Sequence, residues 1–281
     1  MLKRYLRPLL SGSMLGLMLA FPQQAADAAL QALRVFAQSV LPSLFPFTAC
    51  MLLFTAGRTL PLPPLVALAY LGGSPAGARL FQDAQLDRRC SRRMAATTGV
   101  MSPMFFLSTL SSWLDNPAAG RMLLLCHMSA ALVCALFFRA KTSGTKITLP
   151  PLSVSAALAN ACSAMLTVGA CIVLGTVSAR MAACLFPALS ALPLAIFQCL
   201  LEVTSGCKSL TAFSLSPMLL LPLLCAATSF GGLSILLQNA AFWGKHHISL
   251  WQLVIFAILR AAIAFILCLA FLLCLPAQFA L

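Results

Sequence analysis

Long apolar runs recur along almost the whole of this 281-residue chain and limit what it can fold into. Hydrophobic residues make up 61% of the sequence and charged residues only 8%, whereas soluble domains carry about 25% charged residues. Such a composition cannot cover a water-exposed surface. Transmembrane strands would alternate in segments of about ten residues, a pattern that these runs lack. The sequence therefore predicts an all-α, polytopic membrane protein.

The lengths of the apolar runs separate full spans from half spans, because a spanning helix needs about 20 apolar residues. They predict about seven transmembrane helices, at residues 6–22, 35–57, 94–113, 118–138, 155–179, 222–243 and 249–275. Residues 61–86 and 189–221 instead hold shorter stretches on either side of a break rich in Gly, Ser and Thr. Irregular backbone at membrane depth is tolerated only where protein or water covers it. Each region is therefore predicted to be a re-entrant hairpin of two half-helices.

Basic residues lie in short breaks between the apolar runs, as in Arg88, Arg89, Arg139, Lys141 and Lys146. This is the positive-inside pattern of cytoplasmic loops, and it predicts a cytoplasmic N-terminus. The net charge of +13 comes without a basic groove interleaved with aromatic residues, so nucleic acid is not an expected partner. The first 29 residues also fit a signal peptide, but the membrane character of the rest favours a retained helix.

The twelve cysteines do not suggest a metal centre or a disulfide framework. None forms a Cys-x-x-Cys pair, and most fall inside apolar runs, where free cysteine behaves as a small hydrophobe. The sequence also lacks the common hydrolase, metalloprotease, P-loop and dinucleotide signatures. We therefore expect no metal site, no cofactor and no enzymatic activity.

Two segments share one order of elements. After an N-terminal helix in residues 1–29, residues 30–140 run helix, hairpin, helix, helix, and residues 155–281 repeat that order beyond a cytoplasmic linker at 141–154. Three crossings per unit would insert the two copies in opposite directions. Inverted repeats whose broken helices meet near the midplane are typical of secondary transporters.

Glu202 is the only glutamate of the chain and lies between two apolar stretches. A charged side chain at membrane depth costs a few kcal/mol, so it usually serves a partner or a solute. Thr204, Ser205, Gly206 and Lys208 add hydroxyls, a helix break and an opposite charge. Two interpretations stay open: the group contacts a ligand or ion, or Glu202 and Lys208 form a buried structural pair.

Two other breaks carry further candidates. Ser74 and Gly77 lie at the first hairpin break, where glycines more often allow close packing than contact a ligand. The second broken helix carries a small and polar set that fits either a cavity lining or a close helix–helix contact. That set is Ser229, Gly231, Gly232, Ser234 and Gln238. His127 lies in an apolar run and is expected to be a satisfied core residue.

Four segments occur in a defined order, at residues 39–47 (SVLPSLFPF), 75–78 (PAGA), 201–206 (LEVTSG) and 230–234 (FGGLS). As an ordered set they resemble the YlbJ-type sporulation integral membrane proteins of endospore-forming bacteria. That family belongs to the wider nucleoside-recognition, or Gate, domain group. The resemblance extends over about residues 30–275 and implies a multi-pass protein of a bacterial cell membrane that is tied to sporulation.

The chain departs from this family pattern in its first half. The family usually has an aromatic residue where this chain has Ser74, and asparagines where it has Gly99, Val100 and Met101. Both differences remove groups that could hold a nucleoside-like ligand. The resemblance therefore directs the candidate site to the second half.

Together these features predict a sporulation-associated transporter or sensor of a small polar solute, nucleoside-like or otherwise, at a midplane site. The alternative is a non-transporting membrane scaffold needed for spore envelope assembly. The expected partners are the lipid bilayer, an unidentified small polar solute and a coupling cation. Association with a second copy or with other membrane proteins stays open.

Overall fold

The computed structural model describes residues 2–82, 84–138, 140, 144–187 and 190–274, with side chains from residue 8 onward. Apart from loops and two three-residue strands, the described chain is helical, which confirms the predicted all-α class. Five helical segments are long and apolar enough to cross a membrane. The chain therefore has the helices of a membrane protein.

The first half begins with helix α1 (Leu2–Ala20) and helix α2 (Pro22–Thr55), which contains a π-helical turn at Phe36–Val40. The remaining elements are β1 (Thr59–Pro61), α3 (Leu62–Gly72), α4 (Ala76–Arg79), α5 (Arg88–Thr98), α6 (Phe105–Leu114) and α7 (Pro117–Leu136). Helix α2 starts at Pro22, not near residue 35 as the apolar run suggested. Proline suits the first helical turn because that turn's N–H has no partner within the helix.

The second half has a similar order of elements. They are β2 (Lys146–Thr148), α8 (Val154–Leu185), α9 (Ala191–Leu201), α10 (Val203–Leu210), α11 (Pro217–Phe230), α12 (Gly232–Trp243) and α13 (Leu250–Cys274). Strand β2 lies in the predicted linker 141–154 and pairs antiparallel with β1. Residues 141–143 of that linker, and Arg139 before it, lie outside the described residues.

The helix after each short-helix pair is interrupted. The break at Gly231 is as predicted, because Gly231 and Gly232 have φ values of +83° and +72°, which glycine adopts without steric cost. The span predicted at 94–113 is interrupted in the structure, since α5 ends at Thr98 and α6 begins at Phe105. Pro103 lies between them and disfavours a helical conformation at the residue before it.

Five candidate spans are found in the described chain, where the sequence suggested about seven. The apolar part of α1, Pro8–Ala20, and helix α6 are each shorter than a full span. By contrast, α2 has 34 residues and α8 has 32, so at 1.5 Å per residue each is about 50 Å long. These two helices exceed the hydrocarbon thickness of about 30 Å.

Helices α2 and α8 run side by side in opposite directions. Ala25, near the start of α2, shares a buried cluster with Met181, near the end of α8. Leu52, near the end of α2, shares another with Ala157, near the start of α8. The contacts thus extend along most of both helices.

The two pairs of short helices, α3–α4 and α9–α10, pack at opposite ends of α7 and α13. The α9–α10 pair shares a core cluster with Leu123 of α7 and Leu272 of α13. The α3–α4 pair shares the other large cluster with Cys134 of α7 and Phe256 of α13. Helices α7 and α13 therefore connect the two ends of the core.

Candidate functional site

A narrow cavity of about 30 Å³ has walls from both halves of the chain. Its polar lining consists of Ser43, Ser74, Ser102, Glu202, Thr204, Ser234 and Gln238. The rest of its wall is apolar and comes mainly from α2, α8 and the α5–α6 break. Five residues singled out from the sequence thus come together here: Ser74, Glu202, Thr204, Ser234 and Gln238.

Glu202 is the single residue between α9 and α10, and it is only 1% exposed. Its backbone is extended, with φ −144° and ψ 111°, so the chain turns back at this point. Its Oε1 accepts the N–H of Thr204 at 2.9 Å, and its Oε2 accepts the N–H of Ser205 at 2.6 Å. These N–H groups have no partner within α10, and a negative charge there interacts favourably with the helix dipole.

Glycines allow the backbone to pack closely around Glu202. A Cβ on Gly175 of α8 would lie 2.5 Å from the Cβ of Glu202. A Cβ on Gly206 would collide with the backbone nitrogen of Cys199, and one on Gly232 would lie 3.0 Å from the Cys199 carbonyl oxygen. The sequence candidates Gly206 and Gly232 therefore act through close packing and do not line the cavity.

Ser205 ties the α9–α10 pair to α8. Its Oγ lies 2.8 Å from Oγ1 of Thr176, while its backbone N–H is held by the Glu202 carboxylate. Both side chains are buried. Ser205 is thus a link between the carboxylate and the neighbouring long helix.

Two buried oxygen atoms in the residues that line the cavity have no hydrogen-bond partner. They are Oε1 of Gln238 and Oγ of Ser102. Buried polar side-chain atoms are usually paired, so each exception calls for an explanation such as an unplaced water or ion. Together with Glu202, these atoms leave unused hydrogen-bonding capacity at the cavity.

The tip of the α3–α4 pair is held by hydrogen bonds within the protein. The Ser74 hydroxyl donates to Oδ1 of Asn239 at 2.6 Å, and the Ser74 N–H donates to the Val100 carbonyl at 2.7 Å. Gly77 does not line the cavity, because a Cβ there would lie 2.7 Å from the Ala69 carbonyl oxygen. Ser74 thus joins the α3–α4 pair to α12 and to the α5–α6 break.

His127 is a satisfied core residue, as predicted. Its Nε2 accepts the backbone N–H of Met101 at 3.1 Å. Nδ1 therefore carries the proton in a neutral ring and donates to the Ser229 hydroxyl at 2.8 Å. The sequence candidate Ser229 is thus a partner of His127 and is not among the cavity-lining residues.

Lys208 does not pair with Glu202, so the structural ion pair considered from the sequence is wrong. Its Nζ lies 5.2 Å from the centre of the Trp113 ring. The side chain is exposed and faces a separate, wider crevice of about 580 Å³, which Asp27 and Arg180 also line. Six residues along a helix give a rotation of about 240°, which turns Lys208 away from the end that Glu202 caps.

Arg260 is a buried charge that the sequence reasoning missed. It lies inside α13, is 3% exposed, and its Nη1 donates to the Ala96 carbonyl at 2.9 Å. Ala96 lies in the last turn of α5, where carbonyl groups lack helical partners and a cation is favourable. Its sequence signal was a lone charged residue within an apolar span.

No family model, curated protein or solved structure matches this chain. The resemblance to the YlbJ-type proteins therefore stays a prediction from the ordered sequence segments.

Proposed function

We propose that this chain is a membrane transporter of a small polar solute, with its binding site at the cavity beside Glu202. One observation carries the proposal: a buried carboxylate and two unpartnered buried oxygens belong to residues that line the same cavity. Buried polar groups without hydrogen-bond partners cost free energy inside a membrane protein unless a ligand binds them.

The proposal includes an inverted repeat in which residues 22–136 and 154–274 are the two units. Helix, short-helix pair, broken helix and helix follow one another in each unit. The two leading helices, α2 and α8, are antiparallel, and the two short-helix pairs pack at opposite ends of α7 and α13. Each feature is expected of two units inserted in opposite orientations.

In this arrangement α3–α4 and α9–α10 are re-entrant hairpins that enter from opposite faces. The crossings are α1, α2, α5–α6, α7, α8, α11–α12 and α13, with a cytoplasmic N-terminus. This layout explains why α5–α6 and α11–α12 break close to the cavity. Broken helices at membrane depth supply backbone groups and partial charges to bound solutes.

Access to the site would require the contacts around the cavity to separate. The Ser74–Asn239 hydrogen bond joins the two units, and the Thr176–Ser205 contact joins the second hairpin to α8. A cavity of about 30 Å³ can hold a water or an ion, whereas drug-sized ligands occupy 300 Å³ or more. The cavity would therefore have to widen before a solute larger than an ion could enter.

The wide crevice lined by Thr176 and Lys208 is the proposed route of access. Thr176 also contacts Ser205, whose N–H binds the Glu202 carboxylate. Breaking the Thr176–Ser205 contact would therefore loosen the wall on the Glu202 side of the cavity. A nucleoside-like solute and a role in sporulation rest on the sequence resemblance alone.

A non-transporting scaffold is the second candidate, and the small volume of the cavity favours it. Several hydrogen bonds hold the surrounding elements, including His127–Ser229 and Ser74–Asn239. A charge-reversed Glu202 and Lys208 double variant cannot separate the two functions, because these side chains do not form a pair. Solute uptake separates them directly.

The test is uptake into lipid vesicles that contain the purified chain, with a labelled panel of nucleosides and cell-wall intermediates. We expect uptake of at least one compound by the wild type and a loss of about 100-fold or more in Glu202→Gln. The control Asp115→Asn removes an exposed carboxylate, and asparagine tolerates the left-handed backbone of that position. Equal uptake in Glu202→Gln and the wild type contradicts the proposal, and no uptake above empty vesicles favours the scaffold.

A further inference from the structure

We infer that the cavity holds one dehydrated monovalent hard cation of the sodium class, bound by Glu202, Gln238 and Ser102. The inference rests on the proposed function because it names the ion at the same site. It concerns the closed arrangement, in which the cavity of about 30 Å³ has room for an ion but not for an organic solute.

The charge of Glu202 is not matched by a basic side chain. Its two oxygens accept hydrogen bonds from the N–H groups of Thr204 and Ser205, and the side chains of the same two residues also interact with it. Lys208 lies against Trp113, and Arg260 donates to the Ala96 carbonyl. These hydrogen bonds add no positive charge, so a bound cation would complete the site.

The available ligands are all oxygen atoms. The Glu202 carboxylate accepts hydrogen bonds from the N-terminus of α10, and the Gln238 carbonyl oxygen and the Ser102 hydroxyl have no partner. Thr204 and Ser234 place further hydroxyls in the wall. Hard cations prefer carboxylate, carbonyl and hydroxyl oxygens, which is the set that these residues offer.

The number of carboxylates indicates the charge of the ion. Glu202 is the only acidic side chain among the lining residues, so one positive charge neutralises the site. Calcium sites use six to eight oxygens with several carboxylates, and magnesium keeps several waters. Neither requirement fits a cavity of this size with one acid. Broken helices of inverted-repeat transporters bind sodium or protons in comparable positions.

A bound cation would explain why position 238 has a polar residue, which close packing alone does not explain. Oε1 of Gln238 is buried and unpartnered, although a leucine or methionine at this position of α12 would avoid that cost. An amide oxygen that contacts a cation is satisfied. The same reasoning applies to the Ser102 hydroxyl, which lies in the break between α5 and α6.

Thermal unfolding of the chain in nanodiscs tests the inference without any solute. We compare sodium, potassium and choline chloride at equal ionic strength and pH 8, and measure binding of radioactive sodium in parallel. Sodium is expected to raise the melting temperature by about 5 °C over choline when its concentration is about 100 times the dissociation constant. Tracer binding is expected to saturate at one ion per chain.

Three variants assign the ligands. Glu202→Gln is expected to abolish tracer binding, and Gln238→Leu and Ser102→Ala to weaken it about tenfold each. Gln23→Leu replaces an exposed glutamine far from the cavity in sequence and is expected to bind sodium normally. If Glu202→Gln does not insert, the other two variants still test the site.

Equal stability in sodium and choline, with no bound tracer, overturns the inference. Stability that changes with pH but not with the cation overturns it as well, because Glu202 would then carry a proton. Sodium binding without uptake of any solute would sustain the ion site and contradict the proposed transport. Solute uptake without sodium binding would have the opposite meaning, so the two proposals can fail separately.

Discussion

The two short-helix pairs differ most at their tips. The tip of α3–α4 carries the neutral Ser74, whose hydroxyl and N–H both have partners within the protein. The tip of α9–α10 carries the buried carboxyl group of Glu202, which accepts hydrogen bonds from the N-terminus of α10. The two short-helix pairs are thus similar in structure, but one has a neutral hydroxyl at its tip and the other an acidic group.

The polar groups of Ser74 at the first tip are paired within the protein, whereas the Glu202 carboxyl group at the second tip has no basic partner among the described residues. Hydrogen bonds between neutral groups contribute about 1 kcal/mol net and need no ligand. A buried carboxylate retains a desolvation cost of several kcal/mol unless a positive charge approaches it. The first tip therefore serves mainly to join the units, and the second is the better place for binding.

The most direct test of this difference between the tips is to remove each tip side chain in a separate variant. Glu202→Ala is expected to lower solute uptake about 100-fold or more, because the only charge of the cavity is lost. Ser74→Ala removes one neutral hydrogen bond and is expected to lower uptake by less than about tenfold. Uptake by vesicles containing equal amounts of inserted protein is the measurement, and equal losses would abolish the distinction.

The glycines behind the two tips give the next largest effect. Gly206→Ala drives a Cβ into the Cys199 backbone, and Gly77→Ala brings one to 2.7 Å from the Ala69 carbonyl oxygen. We expect each to lower the free energy of unfolding by about 1–3 kcal/mol, because overpacked backbone must move.

Gly12→Ala is the matched control for both glycine variants, since a Cβ there meets no atom within 4 Å. Thermal unfolding in nanodiscs is the measurement. A Gly206→Ala protein as stable as Gly12→Ala would mean that α9 and α10 do not pack as closely as described.

The two helix breaks offer a third test. The break at Gly231 needs no side-chain partner for its backbone N–H, because the Gly231 N–H donates to the Ala227 carbonyl of α11 at 2.9 Å. The break between α5 and α6 depends on His127, which accepts the Met101 N–H and donates to Ser229. His127→Leu is therefore expected to cost about 2 kcal/mol of unfolding free energy, because it leaves two buried partners unsatisfied.

Ser229→Ala provides the matched comparison for His127→Leu. It removes one of the two contacts and keeps the bond to Met101, so we expect a cost of about 1 kcal/mol. Denaturant or thermal unfolding of both variants in one lipid composition gives the ratio. Equal stability of His127→Leu and the wild type would mean that the break between α5 and α6 does not depend on the hydrogen bonds of His127.

The smallest expected effect concerns the basic segment that precedes the first break. Burial raises the pKa of the Cys90 thiol, and the Asp87 carboxylate adds to this effect. The thiolate is the reactive form, so an impermeant maleimide is expected to label Cys90 slowly at pH 7 and faster as pH rises. Labelling rates at pH 7 and pH 9 are the measurement, and equal rates at both would contradict the buried placement.

Orientation needs a more accessible position than Cys90, which is 3% exposed. The neighbouring Arg89 is exposed, so Arg89→Cys is expected to react with the impermeant reagent from the cytoplasmic side. Faster labelling from the outer side would reverse the proposed orientation of both units.

Local patterns of the sequence predicted the class of the fold and the positions of several breaks. Apolar run lengths indicated membrane helices, and glycines indicated the interruption at Gly231. The polar residues Gln23 and Asp27 interrupt the apolar run, so the first 13 residues of α2 were not recognised. Gln23 and Asp27 lie within the helix with their side chains exposed, which hydrophobicity alone does not show.

The partners of polar residues could not be predicted, because they come from distant parts of the chain. Glu202 was identified as a lone acid, but the assumed neighbour Lys208 faces another crevice. Ser102 and Gln238 are 136 residues apart in the numbering, and only the packing of the two halves makes both line one cavity. Arg260 could have been noticed, but its contact with Ala96 could not.

A density map of the chain in a lipid nanodisc, at a resolution that shows side chains, tests the central claim most directly. The account predicts that the Glu202 carboxylate lies within the acyl region, between α9 and α10, and faces a narrow cavity with Gln238 and Ser102. A carboxylate in bulk water beyond the acyl region, or a continuous helix from α9 through Glu202 into α10, would contradict it.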